Sequence, residues 1–259
     1  MIIRYSQLAL LARCTKQYEY RFVKGIKSPR ASYLFLGSAC HWAIHTHYQE
    51  KINTGIYPPI DKTLEVFSSS WDKESFGDKE SFGDNDEDNG VAIIWDEPKG
   101  ELKDVGILLL KSYINSIAKY VIPLATEVRF IKPIPYTTYM LQTTPDLVTE
   151  SCVVDVKTAK RMKSQTDADN DLQPTCHIFA CSSPGVHYEY HMLLKQSMPV
   201  AKRIITTREE EQIKWLTSSF IPPLLKMLEA GLFPPTGIAH GWVCSMEYCN
   251  YYLLCMKGL

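Results

Sequence analysis

Two carboxylates and a lysine stand at the ends of two adjoining apolar runs. Asp146 precedes Leu147-Val148, while Asp155 and Lys157 close the run that begins at Val153. The polar residues 149–151 between the runs predict a hairpin or strand pair that brings both acids to one end. Neighbouring carboxylates repel each other and favour a hard divalent cation between them. Because Lys157 lies on the same strand face as Asp155, it can hold an attacking water or stabilise a phosphoryl group, which indicates a metal-dependent phosphodiesterase site.

The composition is sufficient for one substantial hydrophobic core. The net charge is too small to attract nucleic acid over the whole surface. The chain has 259 residues, is 45% hydrophobic and carries a formal net charge of −1. Residues 1–30 are nevertheless rich in Lys and Arg, with Glu19 as their one acid, and residues 65–104 are strongly acidic. This distribution favours local phosphate binding over long-range steering, and a solvated helix face is the alternative for the basic run taken alone.

Cysteines cluster near both ends of the chain. No secretory signal or membrane-spanning run is visible, so we expect an intracellular, cytoplasmic protein whose eight cysteines are thiols or metal ligands rather than disulfides. Cys244, Cys249 and Cys255 indicate soft-metal ligation, and Cys14 is the natural fourth ligand if the termini meet. An iron–sulfur cluster is the first interpretation of this set and zinc is the second. The remaining four, namely Cys40, Cys152, Cys176 and Cys181, are predicted to be ordinary buried thiols.

Periodicity predicts an α/β fold in which helices flank a central mixed β-sheet. The predicted helices cover 6–20 (with Ser6 as N-cap), 34–52, 102–122, 172–181 and 209–230. The predicted strands cover 126–131, 136–143, 151–157, 188–194 and 200–206. Residues 68–90, which contain a tandem Asp-Lys-Glu-Ser-Phe-Gly repeat, are predicted to be a mobile acidic loop without a catalytic role.

Taken together, these features resemble the RecB-like branch of the PD-(D/E)XK nucleases, which includes CRISPR-associated RecB-like exonucleases, the AddB nuclease domain and viral exonucleases. The resemblance extends over most of the chain. It rests on Cys14 in the opening helix, Gly37…His41, Glu127-Val128-Arg129-Phe130, Pro145-Asp146, Asp155-Val156-Lys157-Thr158, Gln173 and the C-terminal cysteines. This chain has His177 where the family pattern Gln-x-x-x-Tyr carries tyrosine.

The resemblance implies a single nuclease domain over 1–259, with the restriction-endonuclease-like core and with a tail, 240–259, that packs on the 1–30 helix. It implies Mg²⁺ or Mn²⁺ bound by His41, Asp146, Asp155 and the Val156 carbonyl, with Asp146, Asp155 and Lys157 as catalytic residues. It also implies that Gln173 and His177 position DNA. From their charge, Lys160 and Arg161 are added as candidate DNA contacts, with a solvated turn as the equal alternative.

A [4Fe–4S] cluster on Cys14, Cys244, Cys249 and Cys255 would join the two ends of the chain. The expected activity is a DNA exonuclease acting on single strands or DNA ends, in recombination, repair, viral replication or CRISPR adaptation. No nucleotide-binding phosphate loop is present, so any unwinding must come from a helicase or another partner protein. The alternative is a catalytically weak DNA-end-binding subunit of a larger complex.

Overall fold

The computed structural model describes residues 1–75, 91–181 and 186–257. The chain divides into two compact units, each assembled from separate segments. The first unit consists of Met1–Pro29, Phe130–Thr143 and Glu209–Leu259, and the second of Arg30–Arg129 and Thr144–Arg208. In the part of the chain that the structure describes, no helix has both the length and the apolar character needed to cross a membrane.

Helices and short strands are mixed along the chain, with most of the strands grouped in its middle. The helices are α1 (Tyr5–Arg13), α2 (Thr15–Tyr18), α3 (Ser32–Thr54), α4 (Ile60–Ser75), α5 (Lys99–Ser116), α6 (Gln165–Asp169), α7 (Leu172–Cys181), α8 (Glu210–Trp215), α9 (Ile221–Glu229) and α10 (Tyr252–Met256). The strands are β1 (Ile2–Arg4), β2 (Arg30–Ala31), β3 (Ile93–Ile94), β4 (Ala125–Thr126), β5 (Phe130–Pro133), β6 (Met140–Thr143), β7 (Leu147–Val148), β8 (Cys152–Ala159), β9 (His187–Leu194) and β10 (Val200–Thr206). The predicted mixed α/β class is confirmed.

The first unit contains a three-stranded sheet with the order β1-β6-β5. Strand β1 runs parallel to β6, so that Ile3 pairs with Leu141, and β5 runs antiparallel to β6. The predicted strand 136–143 is shorter than expected, because Tyr136 turns with a φ of 61° and the strand begins only at Met140. Helices α8 and α9 are joined by a π-helical turn, Leu216–Phe220, within the predicted helix 209–230.

The opening segment departs from the prediction of one helix over 6–20. The helix ends at Cys14, whose backbone is extended (φ −163°, ψ 110°), and restarts as α2 before a π-helical turn at Glu19–Val23. The prediction of Ser6 as N-cap is wrong, since α1 begins at Tyr5 and Arg4 is the capping residue. The backbone N–H of Arg4 donates to Oε1 of Gln7 at 2.9 Å, which satisfies the start of the helix from its own first turn.

The second unit contains a five-stranded sheet with the order β10-β9-β8-β7-β4. The β8–β9 pair is parallel and its neighbours are antiparallel, so the sheet is mixed, and the predicted hairpin between Asp146 and Asp155 is present as β7 and β8. The period of two sends successive β8 side chains to opposite faces. Val154 and Val156 pack with helices α3 and α5, whereas Val153 packs with Tyr188 and Tyr190 on the other face.

Several helices and strands in the second unit have bounds that differ from the predicted ones. The strand predicted over 126–131 is interrupted after Thr126, because Glu127 has a φ of 51°. The helix predicted over 102–122 ends at Ser116 and is followed by a 3-10 turn, Ala118–Tyr120. The prediction of a loop over 68–90 is wrong for 68–75, which complete α4, where Trp71 is 1% exposed. The rest of that predicted loop, 76–90, lies outside the described residues.

Two glycines allow helices to approach their neighbours closely. A Cβ on Gly37 of α3 would lie 3.0 Å from Oγ1 of Thr158 in β8. A Cβ on Gly106 of α5 would lie 2.3 Å from the Phe67 ring and 3.0 Å from Leu36. Because Gly37 has no side chain, α3 can lie close against β8, the strand that carries Asp155 and Lys157.

Candidate active site

Asp146 lies immediately before β7 and is held by two neighbours in the second unit. Its Oδ2 accepts a hydrogen bond of 2.5 Å from the backbone N–H of Val156, and its Oδ1 lies 3.2 Å from Nδ1 of His41 on α3. Strand β7 begins at Leu147, which pairs with Val154, so the β8 backbone beyond Val154 faces the Asp146 side chain instead of a β7 residue. The N–H and C=O of one strand residue point to the same side, which directs the Val156 carbonyl to this edge as well.

Asp155 and Lys157 form an ion pair two residues apart on β8. Nζ of Lys157 lies 2.6 Å from Oδ2 of Asp155. Asp155 is almost entirely enclosed, whereas 39% of the Lys157 side chain remains exposed. The amide nitrogen of Gln173, on α7, donates a 2.7 Å hydrogen bond to Oδ1 of Asp155. Both oxygens of Asp155 therefore have defined partners.

Glu127 belongs to the same group of charges, although no role was predicted for it. Its backbone N–H donates to the carbonyl oxygen of Asp146 at 3.2 Å. Its left-handed backbone turns the chain where β4 ends. Desolvation, followed by the negative charge of Asp146, raises the pKa of Glu127 to about 8. In the sequence, Glu127 is marked only by the Glu-x-x-Phe motif. The strand predicted over 126–131 does not indicate that its backbone turns towards Asp146.

The electrostatics of the group show an excess of negative charge. Burial raises the pKa of Asp155, and the charge of Asp146 adds to the rise against the lowering effect of Lys157. Burial also opposes ionisation of Asp146, but the nearby His41 outweighs it and lowers the pKa of that carboxyl. The same pairing raises the pKa of His41, in spite of desolvation.

The donor set fits a hard divalent cation. Three carboxylates, from Glu127, Asp146 and Asp155, act on one another electrostatically, and the Val156 carbonyl faces the same edge of β8. Carboxylate and carbonyl oxygens are the ligands that Mg²⁺ and Mn²⁺ prefer. A cation among them would relieve the repulsion that raises the pKa values of Glu127 and Asp155.

The residues predicted to bind DNA have different placements. Lys160 and Arg161 are exposed immediately after the carboxyl end of β8, three and four positions beyond Lys157. Gln173 is buried and uses its amide on Asp155. His177 is 1% exposed and packs edge-to-face on Tyr188, so its placement does not support the predicted contact with DNA. Burial in an apolar setting lowers the pKa of His177 to about 3, which keeps the ring neutral.

The four predicted cysteine ligands meet in the first unit. Cys14, Cys244, Cys249 and Cys255 line one pocket together with Lys16, Gln17 and Tyr20. Desolvation and then the charges of the other three thiols raise the pKa of Cys255, which shows that the four sulfurs are within electrostatic range. The amide of Gln17 donates to Sγ of Cys249 at 3.1 Å, and Tyr251 donates to the Ile26 carbonyl at 2.8 Å. The C-terminal segment thus packs on the opening segment around these cysteines.

Comparisons with known proteins bear on the fold and on the family of the chain. The fold is similar to that of a solved structure from Eubacterium rectale described as a candidate exonuclease, with a TM-score of 0.56 and 10% identity, covering 98% of this chain and 87% of that one. The structure of the protein SSO0001 aligns over 97% of this chain and 96% of its own at 13% identity, but its TM-score of 0.36 is too low to support an inference. No curated protein sequence matches this chain significantly. Residues 4–256 match the family described as the PD-(D/E)XK nuclease superfamily, and the chain belongs to that superfamily.

Proposed function

We propose that the chain is a Mg²⁺- or Mn²⁺-dependent DNA exonuclease of the RecB-like branch, acting on single strands or on duplex ends. One observation carries the proposal, namely the convergence of Asp146, Asp155 and Lys157 with His41 at one edge of β8. The superfamily supports nuclease chemistry in general. The metal, the DNA substrate and the exonuclease mode are the proposed refinements.

The carboxylates of Asp146, Asp155 and Glu127, with the Val156 carbonyl, would hold the metal. When bound, the metal supplies a water of lowered pKa and neutralises charge on the scissile phosphate. His41 orients Asp146 through the 3.2 Å contact, and the Val156 N–H fixes the other carboxylate oxygen. These contacts preorganise the oxygens, so little rearrangement is needed when substrate binds.

Lys157 is the residue that acts on the reacting groups. Its ammonium is anchored by Asp155 and its side chain is partly exposed, so it can donate hydrogen bonds to an attacking water and to the phosphoryl oxygens. Burial disfavours the charged amine, but the neighbouring Asp155 and Asp146 outweigh this effect and raise the pKa of Lys157. The amine therefore stays protonated at neutral pH and acts as an electrostatic stabiliser rather than as a general base.

Lys160 and Arg161 extend positive charge along the path that leads away from the ion pair. Both are exposed, and a flexible cation at each position can follow a phosphate backbone without reading sequence. We infer single-stranded DNA or an opened duplex end as the substrate. A helicase, a recombination protein or a CRISPR adaptation protein is the proposed source of opened ends.

The test compares Asp155→Asn with Asp104→Asn, an exposed acid on α5 of the same unit. Single-stranded DNA labelled at the 5′ or the 3′ end is incubated with each variant, with and without Mn²⁺. We expect the wild type and Asp104→Asn to release mononucleotides or short fragments from a labelled end only with metal, and Asp155→Asn to release none. Metal-independent cleavage, or full activity of Asp155→Asn, would refute the proposal.

We further propose that Cys14, Cys244, Cys249 and Cys255 hold a [4Fe–4S] cluster that joins the two ends of the first unit. The four cysteines line one pocket, which supports a shared metal group with four thiolate ligands. The Gln17 amide and the positive charge of Lys16 are placed to stabilise thiolate sulfur.

Purified protein distinguishes the two metals. We expect brown protein that contains iron and acid-labile sulfide, and colourless, less stable protein from Cys249→Ser. Cys176→Ser, at a buried thiol of the second unit, is the matched control and should retain the colour. A colourless wild type with stoichiometric zinc at these cysteines would overturn the iron–sulfur proposal and leave the nuclease proposal untouched.

A further inference from the structure

We propose a second metal site in the second unit, a Zn²⁺ site formed by Cys152, His187 and Glu189. It lies apart from the carboxylates of the candidate active site, and it does not depend on the nuclease proposal. It differs also from the cysteine pocket, which belongs to the first unit.

The strand register brings the three residues together. Cys152 begins β8 and is paired directly with His187, which begins the parallel strand β9. Glu189 is two residues further along β9, so its side chain lies on the same face as that of His187. Sequence alone separates Cys152 from His187 by 35 positions, and only the parallel pairing of the two strand starts places them side by side.

The geometry is close to that of a metal site. One ligand atom from each residue, a sulfur, a ring nitrogen and a carboxylate oxygen, lies within 4.8 Å of the other two. Nε2 of His187 is already 2.9 Å from Oε1 of Glu189. Zinc bonds of about 2.0–2.3 Å place tetrahedral ligands roughly 3.3–3.8 Å apart. The remaining adjustment is about 1 Å, which rotation of the side chains can supply.

Glu189 is held by a chain of hydrogen-bonded side chains behind the proposed site. The second oxygen of Glu189 lies 3.0 Å from Nε2 of the buried His191, whose Nδ1 is 2.9 Å from the hydroxyl of Tyr113. Tyr113 is in turn 2.9 Å from the hydroxyl of Tyr48. With Tyr48 donating to Tyr113 and Tyr113 donating to Nδ1, the Nε2–H of His191 donates to Glu189. This chain fixes the carboxylate that would bind the metal, in the way that second-shell partners do.

The donor set selects the metal. A thiolate, an imidazole and a carboxylate are a mixed set that suits zinc and is too soft for Mg²⁺. Upon binding, the thiol of Cys152 transfers its proton to solvent and the His187–Glu189 hydrogen bond gives way to two metal bonds. The His187 side chain is 26% exposed, so water can reach the fourth position. The ion would tie together the starts of β8 and β9, the central parallel pair of the sheet.

The test uses the full chain in a Cys249→Ser background, which removes one ligand of the cysteine pocket. Metal-free protein is titrated with Co²⁺ and Zn²⁺ under reducing conditions. We expect a thiolate-to-cobalt absorption band that zinc displaces, one zinc bound per chain through this site, and a higher unfolding temperature with zinc. Adding Cys152→Ser or Glu189→Gln should remove the band and the stabilisation, whereas the control Cys181→Ser should retain both.

The second-shell chain supplies an independent readout. Tyr113→Phe removes the donor to His191 and should weaken zinc binding about tenfold without abolishing it. Glu189→Gln keeps the shape of the side chain. If Cys152→Ser fails to fold, zinc binding by Glu189→Gln tests the proposed site. A background protein that binds no zinc, or one whose zinc binding is unchanged in both Cys152→Ser and Glu189→Gln, would overturn the proposal.

Discussion

The amide nitrogen of Gln173 donates a 2.7 Å hydrogen bond to Oδ1 of Asp155, while Lys157 occupies the other oxygen of the same carboxylate. Asp155 is thus held from two directions by one residue of its own strand and one residue of α7. This arrangement makes Gln173 a positioning residue, whose contribution passes through the carboxylate that it orients.

Replacing Gln173 by Ala should lower the rate of metal-dependent cleavage about 10- to 100-fold, since loss of an outer-shell partner typically has that effect. Cleavage rates measured across a range of Mn²⁺ concentrations should show part of the loss recovered at high metal. Gln165→Ala, on the exposed helix α6, is the matched control and should behave as the wild type. Unchanged metal dependence in Gln173→Ala would show that the hydrogen bond does not orient Asp155.

Replacing Lys157 by Met should reduce the rate of cleavage about 10²- to 10⁴-fold, because the variant keeps the aliphatic stem but loses the cation at the phosphoryl group. Binding of Mn²⁺, measured by calorimetry, should be retained or strengthened, because the positive charge beside Asp155 is gone. Lys111→Met, at an exposed position on α5, serves as the control for loss of a surface charge. A Lys157→Met enzyme with wild-type rates would exclude the lysine from the reaction.

Replacing Gly106 by Ala should destabilise the protein by about 1–3 kcal/mol. The added methyl group would lie 2.3 Å from the Phe67 ring and 3.0 Å from Leu36, so α5 must shift away from α3 and α4. Gly100→Ala on the same helix has no neighbour within 4 Å and should be neutral or stabilising, as the higher helix propensity of alanine dictates. Urea unfolding of the two variants checks the difference. Equal stabilities would show that this packing is loose.

Stability should decrease between pH 6.5 and about 4 because of His47. Burial lowers the pKa of this histidine to about 4, while the ring stacks on Tyr57 and contacts Thr63 at 2.8 Å. Since the unfolded chain takes up the proton near pH 6.5 and the folded chain only near pH 4, the folded state loses about 3 kcal/mol across that interval.

Urea unfolding at pH 7 and at pH 4.5 measures this loss. The variant His47→Leu should have a flatter dependence on pH, whereas Thr63→Val should lower the stability at both pH values without changing the slope. An identical slope in the wild type and in His47→Leu would assign the acid sensitivity to other groups.

The local sequence pattern was sufficient to predict the bounds of two elements of the second unit. The predicted strand 200–206 and the predicted helix 172–181 have the bounds that the structure gives them, because each is a single apolar period between polar turns. The pairing of Asp146 with β8 was also accessible, since hairpin partners are close in sequence. These are all short-range features, in which local periodicity and packing agree.

The features that sequence did not give arise from long-range packing. The hydrogen bond between Gln173 and Asp155 depends on how α7 packs on the sheet. Glu127 enters the site through a left-handed turn that an apolar period cannot reveal. The break at Cys14 coincides with hydrogen bonds to Thr236, more than 200 positions away. In each case a tertiary contact overrides a local preference.

The first unit is built from three segments that are far apart in the sequence, and this affects when it can fold during translation. Its opening strand pairs with Met140–Gln142, and its first cysteine lies beside three others beyond residue 243. A ribosome adds about 5–20 residues per second, so the last segment of this unit follows the last strand of the second unit by several seconds. During that delay the apolar side of α1 and the thiol of Cys14 are without their C-terminal neighbours. The first unit therefore completes its packing only after its last segment has been synthesised, whereas the second unit can complete its sheet earlier during translation.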